Sequence, residues 1–486
     1  MLRIFFVVIL FFTEGRLDPN CEPFDKAFKT VADINETVIE IISSNCWCFC
    51  ADLFYFLICT GHTMPSVFKA LRALNDTMVA KVRIWNSLIN IVPSDMFANV
   101  KPKVLAIERS GLAVLREKAL YKIGTRLKEL NLRNNIIKKI DKTLLEGLSR
   151  LQKLDVSGNK IGWIDVSVFD LTPDLRELSL NDNDITSIAD GAFVKLTNLK
   201  KLSLSGNQIS TISRNTFKGL DSLEVLHLQN NQITSIDWAA FTNLKQLKIL
   251  DLGTNLITQN HYRIFIRQTH ANALFRYKTY IYILLIGQRA FSPVQQLNVL
   301  AIQNNHLTAL STDGQPFLRP LRKLTHLLVS WNQLKAIQEY DLPKSLNVLA
   351  ADHNQLEKID ARAFEGISMQ KLFINNNYLT YLPRNTFDSF SYETIEAIDV
   401  TSNAWHCVCG EEWLGDWLEK AGESDIGDGP LGCLAARRCG IESQREKEET
   451  TSVWITVAGS ILAAVCILLH TVWQRLNGIA TYRKLF

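Results

Sequence analysis

The sequence predicts a repeat solenoid of the α/β type: stacked turns of chain, each adding one short strand to a parallel sheet on the inner wall of a curved body. Three observations carry that expectation. A leucine recurs at an unbroken interval of 24 residues, at Leu127, Leu151, Leu175, Leu199, Leu223 and Leu247. Inside each interval an apolar-x-apolar pair, such as Leu202-Ser203-Leu204, has the period-two alternation of a short strand. An asparagine follows at the ninth place, as at Asn207, where Ser205-Gly206-Asn207 turns the chain away from that strand.

One unit, Leu199 to Ser222, shows why neither a helix nor a lone strand accounts for the spacing. Leu199, Leu202, Leu204, Ile209, Ile212, Phe217 and Leu220 are its apolar positions. A single turn of this kind buries little alone, so its apolar residues need the turns above and below. The asparagine suits its place because its amide can satisfy turn backbone groups that stacking would otherwise strand inside.

The pattern L-x-x-L-x-L-x-x-N-x-I-x-x-I with a late phenylalanine resembles the leucine-rich repeat family in its 24-residue extracellular form. Strand leucines and the asparagine place unit starts at Val79, Pro102, Leu127, Leu151, Leu175, Leu199, Leu223, Leu247, Leu297, Leu324, Leu346, Met369 and Ile395. The first two units carry Ser87 and Ser110 where asparagine belongs and are weaker matches. The resemblance implies a leucine-rich repeat horseshoe with a parallel inner sheet over residues 79–403, disulfide caps at both ends and, from the segments below, one transmembrane helix.

The ends are read separately. Residues 1–15 hold one Arg3 and an apolar run from Ile4 to Phe12, too short to span a bilayer, and predict a secretory signal peptide. Residues 451–473 form an uncharged apolar stretch long enough to cross as a transmembrane helix. Acidic Glu446, Glu448 and Glu449 precede it and basic Arg475, Arg483 and Lys484 follow, so the positive-inside bias places the repeats outside and residues 474–486 in the cytoplasm. The expected location is the plasma membrane, as a single-pass protein with an extracellular N-terminus. A net charge of +4 with no basic run excludes a nucleic-acid partner on electrostatic grounds.

The ten cysteines avoid the repeats: five precede them, four follow, and Cys466 lies in the apolar stretch. Open solenoid ends expose core, and small disulfide caps would cover it. The segment 404–446, with Trp405, Cys407, Cys409, Trp413, Trp417, Cys433 and Cys439, resembles the C-terminal cysteine cap of secreted members, although Ala404 stands where that cap usually has proline. The resemblance implies bridges Cys407–Cys433 and Cys409–Cys439; a zinc site is the rival use of such spacing. In the N-terminal cap, residues 16–78, the resemblance implies four bridged cysteines, taken as Cys21, Cys46, Cys48 and Cys59. Cys48-Phe49-Cys50 offers an overlapping second C-x-C pair, so the pairing stays open. Asn35-Glu-Thr and Asn75-Asp-Thr are glycosylation sequons.

The period breaks once. After Ile257 the unit should continue with an apolar residue and then a phenylalanine, and Ile286 and Phe291 supply them only after an extra 26 residues, about 260–285. This stretch has no acidic residue and is rich in Tyr, Phe and Ile. A binding arm or membrane-surface contact, a neutral insertion, and translated non-coding sequence are the readings its residues leave open.

No glycine-rich phosphate loop, H-E-x-x-H or G-x-S-x-G occurs, so no enzyme and no cofactor is expected. Isolated histidines such as His227 read as solvated residues of the strand face. Equivalent unit positions stack on neighbouring strands, so columns can be read down the inner face. Position 3 begins Glu129, Lys153, Glu177, Lys201, an alternation that can pair across strands. Farther on it turns apolar, and Leu328, Ala350 and Phe373 at position 5 fall side by side with Trp331 and His353 at position 8. That patch is the predicted ligand-binding surface for a protein ligand or co-receptor. Tyr482-x-x-Leu485 has the form of an endocytic sorting signal. The expected function is non-catalytic protein recognition at the cell surface, as a receptor, co-receptor or adhesion molecule; the alternative is a structural, matrix-organising protein or a shed binding subunit.

Overall fold

The computed structural model describes the backbone of 46–51 and 54–60, residues 67, 68 and 71, residues 77–405 apart from 238, 258–290 and 313–314, and residues 413–421. The signal segment, Cys21, both sequons, the insertion, all four C-terminal cap cysteines, the apolar stretch 451–473 and Tyr482 with Leu485 lie outside the described residues. Among the described residues no helix is long and apolar enough to cross a membrane.

Fifteen strands form one sheet whose spatial order is the order of the chain. They are β1 (Cys46–Ala51), β2 (Phe54–Thr60), β3 (Thr77–Trp85), β4 (Val100–Glu108), β5 (Glu129–Asn131), β6 (Lys153–Asp155), β7 (Glu177–Ser179) and β8 (Lys201–Ser203). They continue as β9 (Val225–His227), β10 (Ile249–Asp251), β11 (Val299–Ala301), β12 (His326–Leu328), β13 (Val348–Ala350), β14 (Lys371–Phe373) and β15 (Ala397–Asp399). The β1–β2 pair is antiparallel, with Cys46 opposite Cys59; every later pair is parallel. Because β2 pairs with β3, the sheet continues upstream of Val79 into the cysteine-rich segment.

Three-residue strands are stable here because their central leucine never faces water. Leu130, Leu154, Leu178, Leu202, Leu226, Leu250, Leu300, Leu327, Leu349 and Leu372 all lie in register and are buried. Each such burial contributes about 1.5–3 kcal/mol against the exposed state. On the far side of each coil, phenylalanines stack in a row: Phe217 on Phe241 at 6.2 Å, and Phe241 on Phe291 at 6.3 Å with planes 8° apart. Phe291 therefore takes the late position of the interrupted coil, as its spacing predicts.

The asparagines act as rungs between coils. In the coil of Asn207, Oδ1 accepts the Ile185 N–H of the preceding coil at 3.1 Å, while Nδ2 donates to Leu180 O at 3.0 Å and Leu204 O at 2.9 Å. The same set recurs across the interruption, where the Ile257 N–H donates to Asn305 Oδ1 at 3.0 Å and Asn305 Nδ2 donates to Leu252 O at 3.0 Å. With β10 and β11 directly paired, the coil is closed on both sides of the insertion. Ser110 replaces the rung only in part: its Oγ accepts the Ser87 N–H and donates to Glu108 O. The ladder there is longer instead, nine residues in each of β3 and β4, which makes up in backbone pairing what serine lacks in donors.

The C-terminal end is covered by α1 (Trp413–Lys420). Its Trp413 Nε1 donates to Leu382 O at 3.1 Å, and Trp417 packs edge-on against Phe387 at 5.0 Å. Trp405 Nε1 donates to Val400 O at 2.9 Å. Aromatic residues thus close the last coil.

Candidate functional site

After each strand the chain turns through one residue in the left-handed region, at position 8 of the unit. Asn134, Gly158, Asp182, Gly206, Asn230, Asn304 and Asn376 occupy it in coils where it passes unnoticed, since glycine, asparagine and aspartate tolerate positive φ. Its N–H donates to the next coil, as Asn304 N does to Ser330 O at 2.9 Å, so the conformation is demanded by the stacking. In two successive coils the same position holds Trp331 (φ 58°) and His353 (φ 51°). A bulky residue here costs about 1–2 kcal/mol.

The two rings lie face to face, with centroids 3.8 Å apart and planes 12° apart, and Trp331 keeps 55% of its surface exposed. Asp352 between them organises the pair: Oδ2 is 2.9 Å from His353 Nδ1, and Oδ1 accepts the Ser330 hydroxyl. Beside them Leu328, Ala350 and Phe373 are direct register neighbours on β12, β13 and β14. The structure therefore brings together all five residues of the predicted patch. It differs in exposure: Leu328, Ala350 and Phe373 are half-buried and Ala301 is buried, so Trp331 supplies most of the open apolar area. Nearby strand side chains shield the shorter groups, which only the sheet's curvature decides.

One other expectation changes. His227 is not a solvated strand-face residue; it is half-buried with Nδ1 unpartnered among the described residues, and burial chiefly pushes its pKa down, against the pull of Asp251. The alternating column pairs as expected at Lys153 and Glu177, 3.0 Å apart, and the Glu177 hydrogen bond raises the Lys153 pKa. Both side chains are half exposed, so the pair contributes little. Position 8 holds Asn, Gly or Asp in most coils but Arg109, Thr254, Trp331, His353 and Ser402 in the others, so the position alone does not mark the site; the stacking of two such residues in successive coils does.

Comparison with known proteins accords with this architecture. The leucine-rich repeat model matches residues 103–161, 173–233 and 221–267, and a BspA-type leucine-rich repeat region matches 277–391. Human platelet glycoprotein IX is 30% identical over 124 residues, which cover 22% of this chain and 69% of that protein. The chain belongs to the leucine-rich repeat family. Another relative, P-granule-associated novel protein 1 of Caenorhabditis elegans, is 44% identical over 189 residues, 36% of this chain and 32% of that protein. Mouse chondroadherin is 37% identical over 82 residues, 16% of this chain and 22% of its own length. The chain thus spans about a third or less of these two relatives. Among solved structures, a leucine-rich repeat protein of Leptospira interrogans aligns with TM-score 0.55 at 20% identity, covering 78% of this chain and 89% of its own. A chain of the glycosylated Toll–Spätzle complex of Drosophila aligns with TM-score 0.51 at 18% identity, covering 76% and 46%. At these identities the likeness is one of fold.

Proposed function

We propose that the protein is a non-catalytic binding protein of the cell surface, a receptor, co-receptor or adhesion molecule that holds a protein ligand on the inner sheet at Trp331. The observation that carries this reading is the placement of Trp331: a large ring kept 55% exposed at a left-handed turn residue and stacked on His353. Exposed tryptophan beside half-buried aliphatic groups is the usual composition of an interface anchor. Leu328, Ala350 and Phe373 form the floor against which a partner side chain would pack. The signal segment 1–15, the sequons at Asn35 and Asn75, the cap cysteines and the apolar stretch 451–473 support a single-pass plasma-membrane location, and one relative is named a platelet glycoprotein. Titrating a cell-surface partner against full-length protein tests the reading. Trp331→Ala and Phe373→Ala are expected to weaken binding about tenfold or more, at unchanged surface level and melting temperature within a few degrees. Equal affinity in both correctly folded variants would sink the proposal.

A further inference from the structure

A second surface lies at the opposite end of the inner sheet, over β3 to β6. A concavity of about 350 Å³ opens there, lined by Lys81, Arg83, Glu108, Glu129, Arg133 and Lys153 above an apolar floor of Val104, Ala106 and Leu130. Its centre is Glu108, a carboxylate whose side chain is only 7% exposed. Arg83 Nε reaches one carboxylate oxygen at 2.7 Å from the coil before; Arg133 Nε, at 3.3 Å, and Asn131 Nδ2, at 3.0 Å, reach the other from the coil after. The corresponding position of the next four coils holds Arg133, Ser157, Asn181 and Ser205, so stacking does not require a buried carboxylate there.

What Glu108 does is orient two guanidinium groups from different coils toward one place. Each contact uses Nε, which leaves the Nη donors of both arginines for another acceptor. Both side chains stay partly open, at 39% and 49% exposure. The Arg83 guanidinium also lies 5.8 Å from the ring of Trp85, itself 38% exposed, so the rim pairs arginine with tryptophan. Of the other charges around the concavity, Lys153 pairs with Glu177, Asp155 accepts the Ser157 N–H, and Glu129 is exposed with no ion pair among the described residues. Lys81 makes no ion pair among the described residues and adds a further cation.

We infer that this concavity binds the carboxylate side chain of an acidic peptide segment, clamped between Arg83 and Arg133 with its methylenes over Val104 and Ala106. A sulfated polysaccharide fits less well, because Glu129 and Asp155 stand in the same wall and repel its closely spaced anionic groups, whereas a peptide turns its other carboxylates to solvent. This inference does not rest on the aromatic surface at Trp331.

Fluorescence anisotropy on the full-length chain in detergent micelles tests it, with labelled tetraglutamate, labelled tetraglutamine and a heparin-derived decasaccharide as probes. Tetraglutamate is expected to bind, tetraglutamine not to bind, and Arg133→Gln to weaken tetraglutamate about tenfold, the worth of one charge-assisted contact. Arg133→Gln leaves Glu108 paired with Arg83, which protects folding. The double variant Arg83→Gln with Glu108→Gln removes the buried charge together with its partner and is expected to lose the peptide as well. Equal tetraglutamate affinity in wild type and Arg133→Gln, or no binding to either, overturns the inference. Tighter binding of the decasaccharide than of tetraglutamate, lost in Arg133→Gln, overturns the peptide assignment. No cellular partner enters this readout, so its failure is separate from failure of the Trp331 proposal.

Discussion

The coils of strict period, from Leu127 to Leu247, and those beyond the insertion, from Leu297, are built on the same skeleton and present opposite inner faces. In both, a buried central leucine, an asparagine rung and a left-handed turn residue recur in register. In the first, position 8 holds Asn134, Gly158, Asp182, Gly206, Asn230 and Thr254, none aromatic, and position 3 carries charges as far as Lys201; in the second, two successive coils carry Trp331 and His353 at position 8. The difference teaches that this solenoid separates its duties by position within the unit. Positions 4, 6 and 9 hold the coils together, whereas positions 3, 5 and 8 lie on the inner face and carry recognition.

The largest effect should come from the shared skeleton. Phe241→Ala removes the ring stacked on both Phe217 and Phe291 and should cost about 4 kcal/mol, read by denaturant unfolding. A loss near zero would mean that the coils on the two sides of the insertion do not pack as one body. Asn207→Ala strands the Ile185 N–H, while the Leu180 carbonyl keeps the bond from Asn183 Nδ2, and should cost about 2 kcal/mol, with Asn332→Ala equal to it within about 1 kcal/mol. Unequal losses would break the claim of a common skeleton.

A pH titration separates the halves. Asp341, beyond the insertion, is buried with a hydrogen bond from the Gln338 N–H at 2.8 Å, and burial pushes its pKa up to about 6. Its folded form prefers the proton, so the stability it contributes is full below its ordinary value of 3.8 and is lost as pH rises through about 6. His227 acts in the opposite sense: its lowered pKa favours the neutral ring, so its stability is present above 6.5 and lost as pH falls. Asp341→Asn should therefore raise the unfolding free energy at pH 7 by on the order of 3 kcal/mol, read by denaturant unfolding, and leave it unchanged near pH 3.

A smaller effect probes the recognition face directly. Trp331→Asn places a residue that tolerates the left-handed turn and should stabilise the fold by about 1 kcal/mol while weakening partner binding. Loss of both stability and binding would mean that Trp331 is a packing residue. The smallest change is expected in the regular half, where Lys153→Gln should shift stability by less than about 1 kcal/mol.

Much of this was legible because the physics is local and repeated. The leucine interval, the asparagine and the late phenylalanine specify which atoms must be buried in every coil, and repetition turns a weak pattern into a register. That register placed Leu328, Ala350, Phe373, Trp331 and His353 together before any coordinates. It carried no measure of how far each stands out of the sheet, and Leu328, Ala350 and Phe373 proved half-buried. His227 was misjudged for the same reason: accessibility of an outward-facing residue depends on its neighbours two strands away.

The sequence by itself determined the solenoid, its strand order and the closure of the coil around the insertion, since each follows from which residues water excludes. Only the tertiary structure decided that position 8 is a left-handed turn, that Trp331 and His353 stack across it, and that Glu108 gathers Arg83 and Arg133 into one concavity. Those features join side chains about 25 residues apart in the chain through backbone geometry and charge, and neither leaves a periodic trace in the order of residues.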